Sequence, residues 1–191
     1  SEGLRRVADR MEWVMRFPLR SAPGLVFVGA RSRPEGAAPG NHAGGGETLD
    51  EAFAACMGEA AEYLSQVERP GDLLPPDHGL PTADAWHGAD RAPGPDAVRA
   101  VRLHDGAEMA VDADRVLRRP GRPAGPVRLG LGCAAGPDLA TARLRAVLEL
   151  VERDATALWW RGGRPARPLD LGDPVVAAAL ERAARWRGEI R

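Results

Sequence analysis

The sequence is best read from Ala43 to Glu62, AGGGETLDEAFAACMGEAAE, laid against Cys133 to Glu152, CAAGPDLATARLRAVLELVE. At one ungapped offset of 90 the two stretches agree at Gly46 and Gly136, Leu49 and Leu139, Ala52 and Ala142, Glu59 and Glu149, and Glu62 and Glu152. Such self-similarity marks an internal repeat. Each copy runs from small residues through a helix start to E-x-x-E, about three helical turns further on. Thr48 and Glu51 form a capping box before the first helix, predicted from Leu49 to about Val67, and Asp138 caps the second, predicted from Leu139 to Trp160.

Residues three apart share a helix face, so Glu59 points with Glu62 and Glu149 with Glu152. On the first helix that face also carries Ala52, Ala55 and Cys56, small residues that admit another backbone or a ligand. If the two copies pack together, four carboxylates converge, and like charges in one place call for cations. Magnesium carrying phosphates answers this, because it takes hard oxygen ligands and only a few carboxylates at once. A glycine turn at Gly44, Gly45 and Gly46, and another at Gly136, would add backbone N–H groups and a positive helix end suited to phosphate.

Outward from the repeat, Met11–Phe17 and Gly24–Ala30 read as strands, followed by a glycine- and proline-rich stretch from Arg33 to Gly46. Residues 70–95, dense in Pro, Gly and Asp, read as a surface connection. Val98–Leu103, Glu108–Asp112 and Val127–Leu131 are predicted strands, the first two joined by an Asp105-Gly106 hairpin turn. Gly162-Gly163 ends the second long helix, and a third begins at Asp173-Pro174 and runs to about Arg187. The order of elements gives a mixed α/β (α+β) class. The repeat adds the expectation of two related strand–Gly-turn–helix units packed to form a nucleotide site.

Composition narrows the function. The formal net charge is −1, which provides no electrostatic footprint for nucleic acid, and no apolar run is long enough to span a membrane. All 26 basic residues are arginine, so no lysine is available for catalysis or phosphate binding. Cys56 and Cys133 have neither metal-type nor disulfide-framework spacing and read as reduced, structural residues of a cytoplasmic protein. His42, His78, His87 and His104 are scattered without ligand spacing, and His42 reads as a surface-loop residue. Trp159-Trp160 reads as core or interface, and Asp154 as an ion-pair partner of Arg153.

The segments Ala43–Ser65 and Gly132–Trp160 resemble the two signatures of the YcaO family. In the first, a Gly-x-Gly turn precedes a helix ending in E-x-x-E-(R/Y)-x-S. In the second, A-A-G precedes a helix closing with E-L-x-E-R-D-A. The resemblance implies a partial YcaO-like domain over residues 1–191. Its first repeat unit lies at about 24–67, the connection at about 69–97, the second unit at about 126–160 and a C-terminal helix at about 174–187. It implies magnesium on Glu59, Glu62, Glu149 and Glu152, and ATP contacts from Gly44, Gly45, Gly46, Glu62, Gly136 and Arg153.

The implied reaction activates a peptide backbone amide with ATP. A substrate Cys, Ser or Thr adds to its own preceding carbonyl, the oxyanion is phosphorylated, and loss of phosphate leaves a thiazoline or oxazoline in a ribosomally made precursor peptide. The same resemblance carries thioamide formation as a sister activity, and a degenerate copy that only binds peptide or partner protein as a further one. Its partners would be the precursor peptide and a leader-peptide-binding or sulfur-delivery protein, with homo-oligomerisation expected. Two departures stand out: Gly45 occupies the place where the family commonly has lysine, and the family domain is longer, so a fragment or a shortened member is expected.

Overall fold

The computed structural model describes residues 2–20, 22–82, 95–119, 130–163, 165 and 168–187, and the chain divides into two compact units. Ser1–Arg33, Pro39–Tyr63 and Leu131–Arg191 make the first; Pro34–Ala38 and Leu64–Gly130 make the second.

The first unit opens with a short helix α1 (Glu2–Ala8), then an antiparallel sheet of β1 (Met11–Phe17), β2 (Val26–Ser32) and β3 (Gly40–Gly46) in the order β1-β2-β3. Helix α2 (Leu49–Ser65) follows directly and covers the sheet. Val28, Ala30, Ala52, Cys56 and Met57 form the buried core, with Leu4, Val7, Met11 and Phe53 packed around it.

The predicted glycine turn of the first repeat is corrected here: Gly44, Gly45 and Gly46 are the last residues of strand β3, paired with Val28, Phe27 and Val26. Close approach is the reason for the glycines. A Cβ on Gly44 would stand 2.2 Å from the Cys56 nitrogen and 2.4 Å from the Ala52 carbonyl oxygen of α2. The small residues Ala52 and Cys56, both fully buried, therefore admit the backbone of a strand. The chain turns instead at Glu47-Thr48, where the capping box forms as expected. Thr48 Oγ1 accepts from the Glu51 N–H at 3.2 Å, and Glu51 Oε2 accepts from the Thr48 N–H at 3.2 Å and the Glu47 N–H at 2.8 Å.

The second repeat builds the same joint. Helix α4 (Leu139–Arg161) is capped by Asp138, whose Oδ1 accepts from the Thr141 N–H at 2.8 Å, and it ends at Gly162. A Cβ on Gly136 would lie 2.8 Å from the Ala142 nitrogen and 3.1 Å from Thr141 Cβ. A Cβ on Gly46 would lie 2.7 Å from the Ala52 nitrogen and 2.5 Å from Glu51 Cβ. Each pair is separated by the offset that aligns the sequences, so the two copies turn into their helices alike. Of the predicted strand Val127–Leu131, residues 127–129 lie outside the described residues, and residues 130 and 131 are not in a strand. Helix α5 (Pro174–Arg187) begins where Asp173 Oδ1 accepts from Val175 N–H at 2.8 Å. Much of α4 is apolar and open to solvent, including Leu144, Leu148, Val151 and Trp160.

The second unit holds the expected hairpin, β4 (Ala97–Val101) and β5 (Glu108–Asp112), turning through Gly106 at φ 75°, and the short helix α3 (Ala113–Val116). Near its end Arg119, almost fully buried, is held by Glu68 at 2.6 Å and by Asp96 and Asp114 at 2.8 Å.

Candidate functional site

A cleft of about 370 Å³ lies within the first unit, between α2 and the second repeat. Ala54, Ala55, Gly58, Glu59 and Glu62 of α2 form one wall. The segment Cys133–Ala135, with Arg145 and Glu149 of α4, forms the other. Three of the four E-x-x-E carboxylates thus line one space, two from the first copy and one from the second. Gly58, at which nothing approaches an added Cβ within 4 Å, and the neighbouring alanines keep it open.

Each carboxylate is oriented by a backbone N–H of the small-residue segments. Glu59 Oε2 accepts from Ala43 N–H at 2.7 Å, and Glu149 Oε2 accepts from Gly132 N–H at 3.2 Å, almost equivalent places in the two copies. Glu62 crosses between copies: its Oε1 accepts from Ala135 N–H at 2.9 Å, and its main-chain carbonyl accepts from Cys133 Sγ at 3.6 Å. Arg145 Nη1 donates to the Ala135 carbonyl at 2.8 Å, so Ala135 is gripped from both helices. Arg153 lies 3.6 Å from Glu149 Oε1, an i, i+4 pair on the exposed side of α4.

Burial raises the pKa of Glu62, and the negative charges of Glu149 and Glu59 push it the same way, against the Ala135 N–H and Arg145, which lower it. A carboxylate made costly by its neighbours is one that a cation stabilises. Burial, with Glu59 adding to it, pushes the Cys56 thiol up to about 11, which keeps it protonated and unreactive.

The other expected residues are placed as follows. Glu152 is exposed on α4 and is not among the residues lining the cleft, and neither are Gly44, Gly45, Gly46, Gly136 and Arg153. Gly44 is buried against α2. His42, read as a surface-loop residue, is instead a buried strand residue: its Nε2 lies 2.8 Å from Ser32 Oγ and its ring 5.4 Å from that of Tyr63, and burial lowers its pKa. His87 lies outside the described residues. Sequence reasoning missed Arg145, although it stands four residues before Glu149 and so on its helix face. Cys133 was legible only as a small hydrophobe.

The donor set suits a hard cation. Among the described residues no three His, Cys, Asp or Glu side chains form a ready-made metal cage. Magnesium, which keeps waters and takes one or two carboxylates together with phosphate oxygens, needs none. Glu59, Glu62 and Glu149 are the residues of the cleft that would hold it.

The family described as YcaO cyclodehydratase, ATP- and Mg²⁺-binding, matches residues 43–191, from the first glycine segment to the end of the chain. The chain belongs to the YcaO family. No curated protein matches it. Among solved structures, YcaO from Methanopyrus kandleri, bound with AMPPCP and Mg²⁺, superposes with a TM-score of 0.73 at 21% identity, covering 95% of this chain. The chain spans about half of that protein, 51% of its length. The mixed α/β fold of a YcaO protein is therefore present in this chain, and its family is one of ATP- and magnesium-binding enzymes. No helix among the described residues is long and apolar enough to cross a membrane.

Proposed function

We propose that this YcaO chain binds ATP with magnesium in the cleft between its two repeats and serves the activation of peptide backbone amides. Its most direct product would be a thiazoline or oxazoline, formed from a Cys, Ser or Thr of a ribosomally made precursor peptide. The observation that carries this reading is the convergence of Glu59 and Glu62 from one copy with Glu149 from the other.

Bound Mg–ATP supplies the phosphoryl group that turns an amide oxygen into a leaving group. The chain's own residues orient and neutralise. Glu59, fixed by the Ala43 N–H, and Glu149, fixed by the Gly132 N–H and paired with Arg153 at its other oxygen, would offer carboxylate oxygens to magnesium, and Glu62 stands between the two copies. Arg145 adds positive charge to the wall that also carries Glu149. The nucleophile belongs to the substrate peptide, so the chain needs to position and stabilise charge, as in other phosphoryl transfers. A separate leader-peptide-binding protein would deliver the peptide.

The test is mass spectrometry of a candidate precursor peptide incubated with the chain, its delivery partner, ATP and magnesium. Loss of one water per Cys, Ser or Thr, together with ADP and phosphate release, supports azoline formation. Exchange of oxygen for sulfur on addition of sulfide identifies thioamide formation instead. An unmodified peptide with no ATP turnover contradicts the proposal.

A further inference from the structure

We propose that Arg145 is the phosphate-binding cation of the cleft, an assignment that rests on the nucleotide reading above. The lining of the cleft bears three carboxylates and, as its only basic residue among the described residues, Arg145. A nucleotide brings further negative charge to carboxylates already in mutual repulsion, and its phosphates need positive charge on the wall as well as shared metal ions. No lysine exists in this chain to supply it.

Geometry makes Arg145 the suitable group. It stands on α4, one turn before Glu149. Its Nη1 donates to the neutral Ala135 carbonyl at 2.8 Å, and among the described residues it closes no salt bridge. A guanidinium has five donors, so this anchor leaves a fork of N–H groups for an anion. Phosphate oxygens are stronger acceptors for it than a peptide carbonyl. The offset of 90 that relates the repeats sets Ala55 opposite Arg145 in the alignment, and both line the cleft. One copy therefore contributes space where the other contributes charge, and this asymmetry gives the phosphates a direction across an otherwise duplicated site.

A purely structural role, holding Ala135 in place, would leave a different signature. Calorimetry of ATP, ADP and adenosine, each with magnesium, on the wild-type chain, Arg145→Gln and Arg145→Lys separates the two. Glutamine keeps a donor for the Ala135 carbonyl and removes the charge. We expect Arg145→Gln to weaken ATP and ADP on the order of tenfold to a hundredfold. Adenosine should be unchanged, part of the loss should return in Arg145→Lys, and the gap should narrow at high salt. Equal affinities in wild type and Arg145→Gln, or the same loss for adenosine as for ATP, would overturn the assignment while leaving the nucleotide site intact. Failure of the folded wild-type chain to bind any of the three overturns the nucleotide reading and this assignment with it.

Discussion

Glu62 of α2 and Ala135 of the second repeat are joined by a 2.9 Å hydrogen bond, with the Ala135 N–H donating to Glu62 Oε1. It ties the two copies at the cleft and leaves a partly buried carboxylate near Glu59 and Glu149. Burial and these like charges raise its pKa. A carboxyl whose folded-state pKa stands above its unfolded value costs stability once the pH passes the unfolded value, about 4.3, and the cost is complete above the folded one. Glu62→Gln keeps the acceptor for Ala135 and removes the charge. Urea denaturation should find it at least as stable as wild type at pH 7, with the difference vanishing below the ordinary glutamate range. A variant less stable than wild type at neutral pH would show that the ionised carboxylate is structurally favourable here.

The glycines of the first repeat predict opposite effects for one substitution. Gly44→Ala drives a Cβ into the α2 backbone, 2.2 Å from the Cys56 nitrogen. It should cost about 1–3 kcal/mol or more, because neither strand nor helix backbone can yield easily. Gly58→Ala meets nothing within 4 Å on the open face of α2. It should stabilise by about 0.5–1 kcal/mol through helix propensity alone. Denaturation midpoints of the two variants decide the matter.

Much of this fold was legible in the sequence because its helices announce themselves through side chains. Thr48 with Glu51, Asp138, and Asp173-Pro174 set the helix starts, and each cap is made by the residue named. The predicted helix α4 closes at Gly162-Gly163 as written in the sequence. Strand β3 was not legible: GNHAGGG has none of the branched residues that mark strands, because α2 packs directly on its backbone. The same close packing hid His42, whose environment is set by Ser32 and Tyr63, distant in sequence. At the site, the repeat singled out the carboxylates, but Arg145 matches nothing in the first copy and became visible only when the cleft did.

Asp138 gives a pH prediction of the opposite sign. Hydrogen bonds from the Thr141 main chain and hydroxyl hold its carboxyl below the usual aspartate range. Its folded pKa is depressed, so its contribution is present above the unfolded value, about 3.9, and lost as pH falls through the folded one. Asp138→Ala should lower the thermal midpoint at pH 7, and the deficit should shrink on acidification through that range. A deficit independent of pH would assign the loss to packing instead of the cap.

The central claim is that the two repeats share one magnesium–nucleotide site, and calorimetric titration of ATP into the folded chain, with and without magnesium, tests it most directly. Wild type should bind only with magnesium, and Glu59→Gln and Glu149→Gln, one from each copy, should each weaken binding by at least about tenfold. Undiminished magnesium-dependent binding in either variant, or none in the folded wild-type chain, would contradict a site shared by both copies.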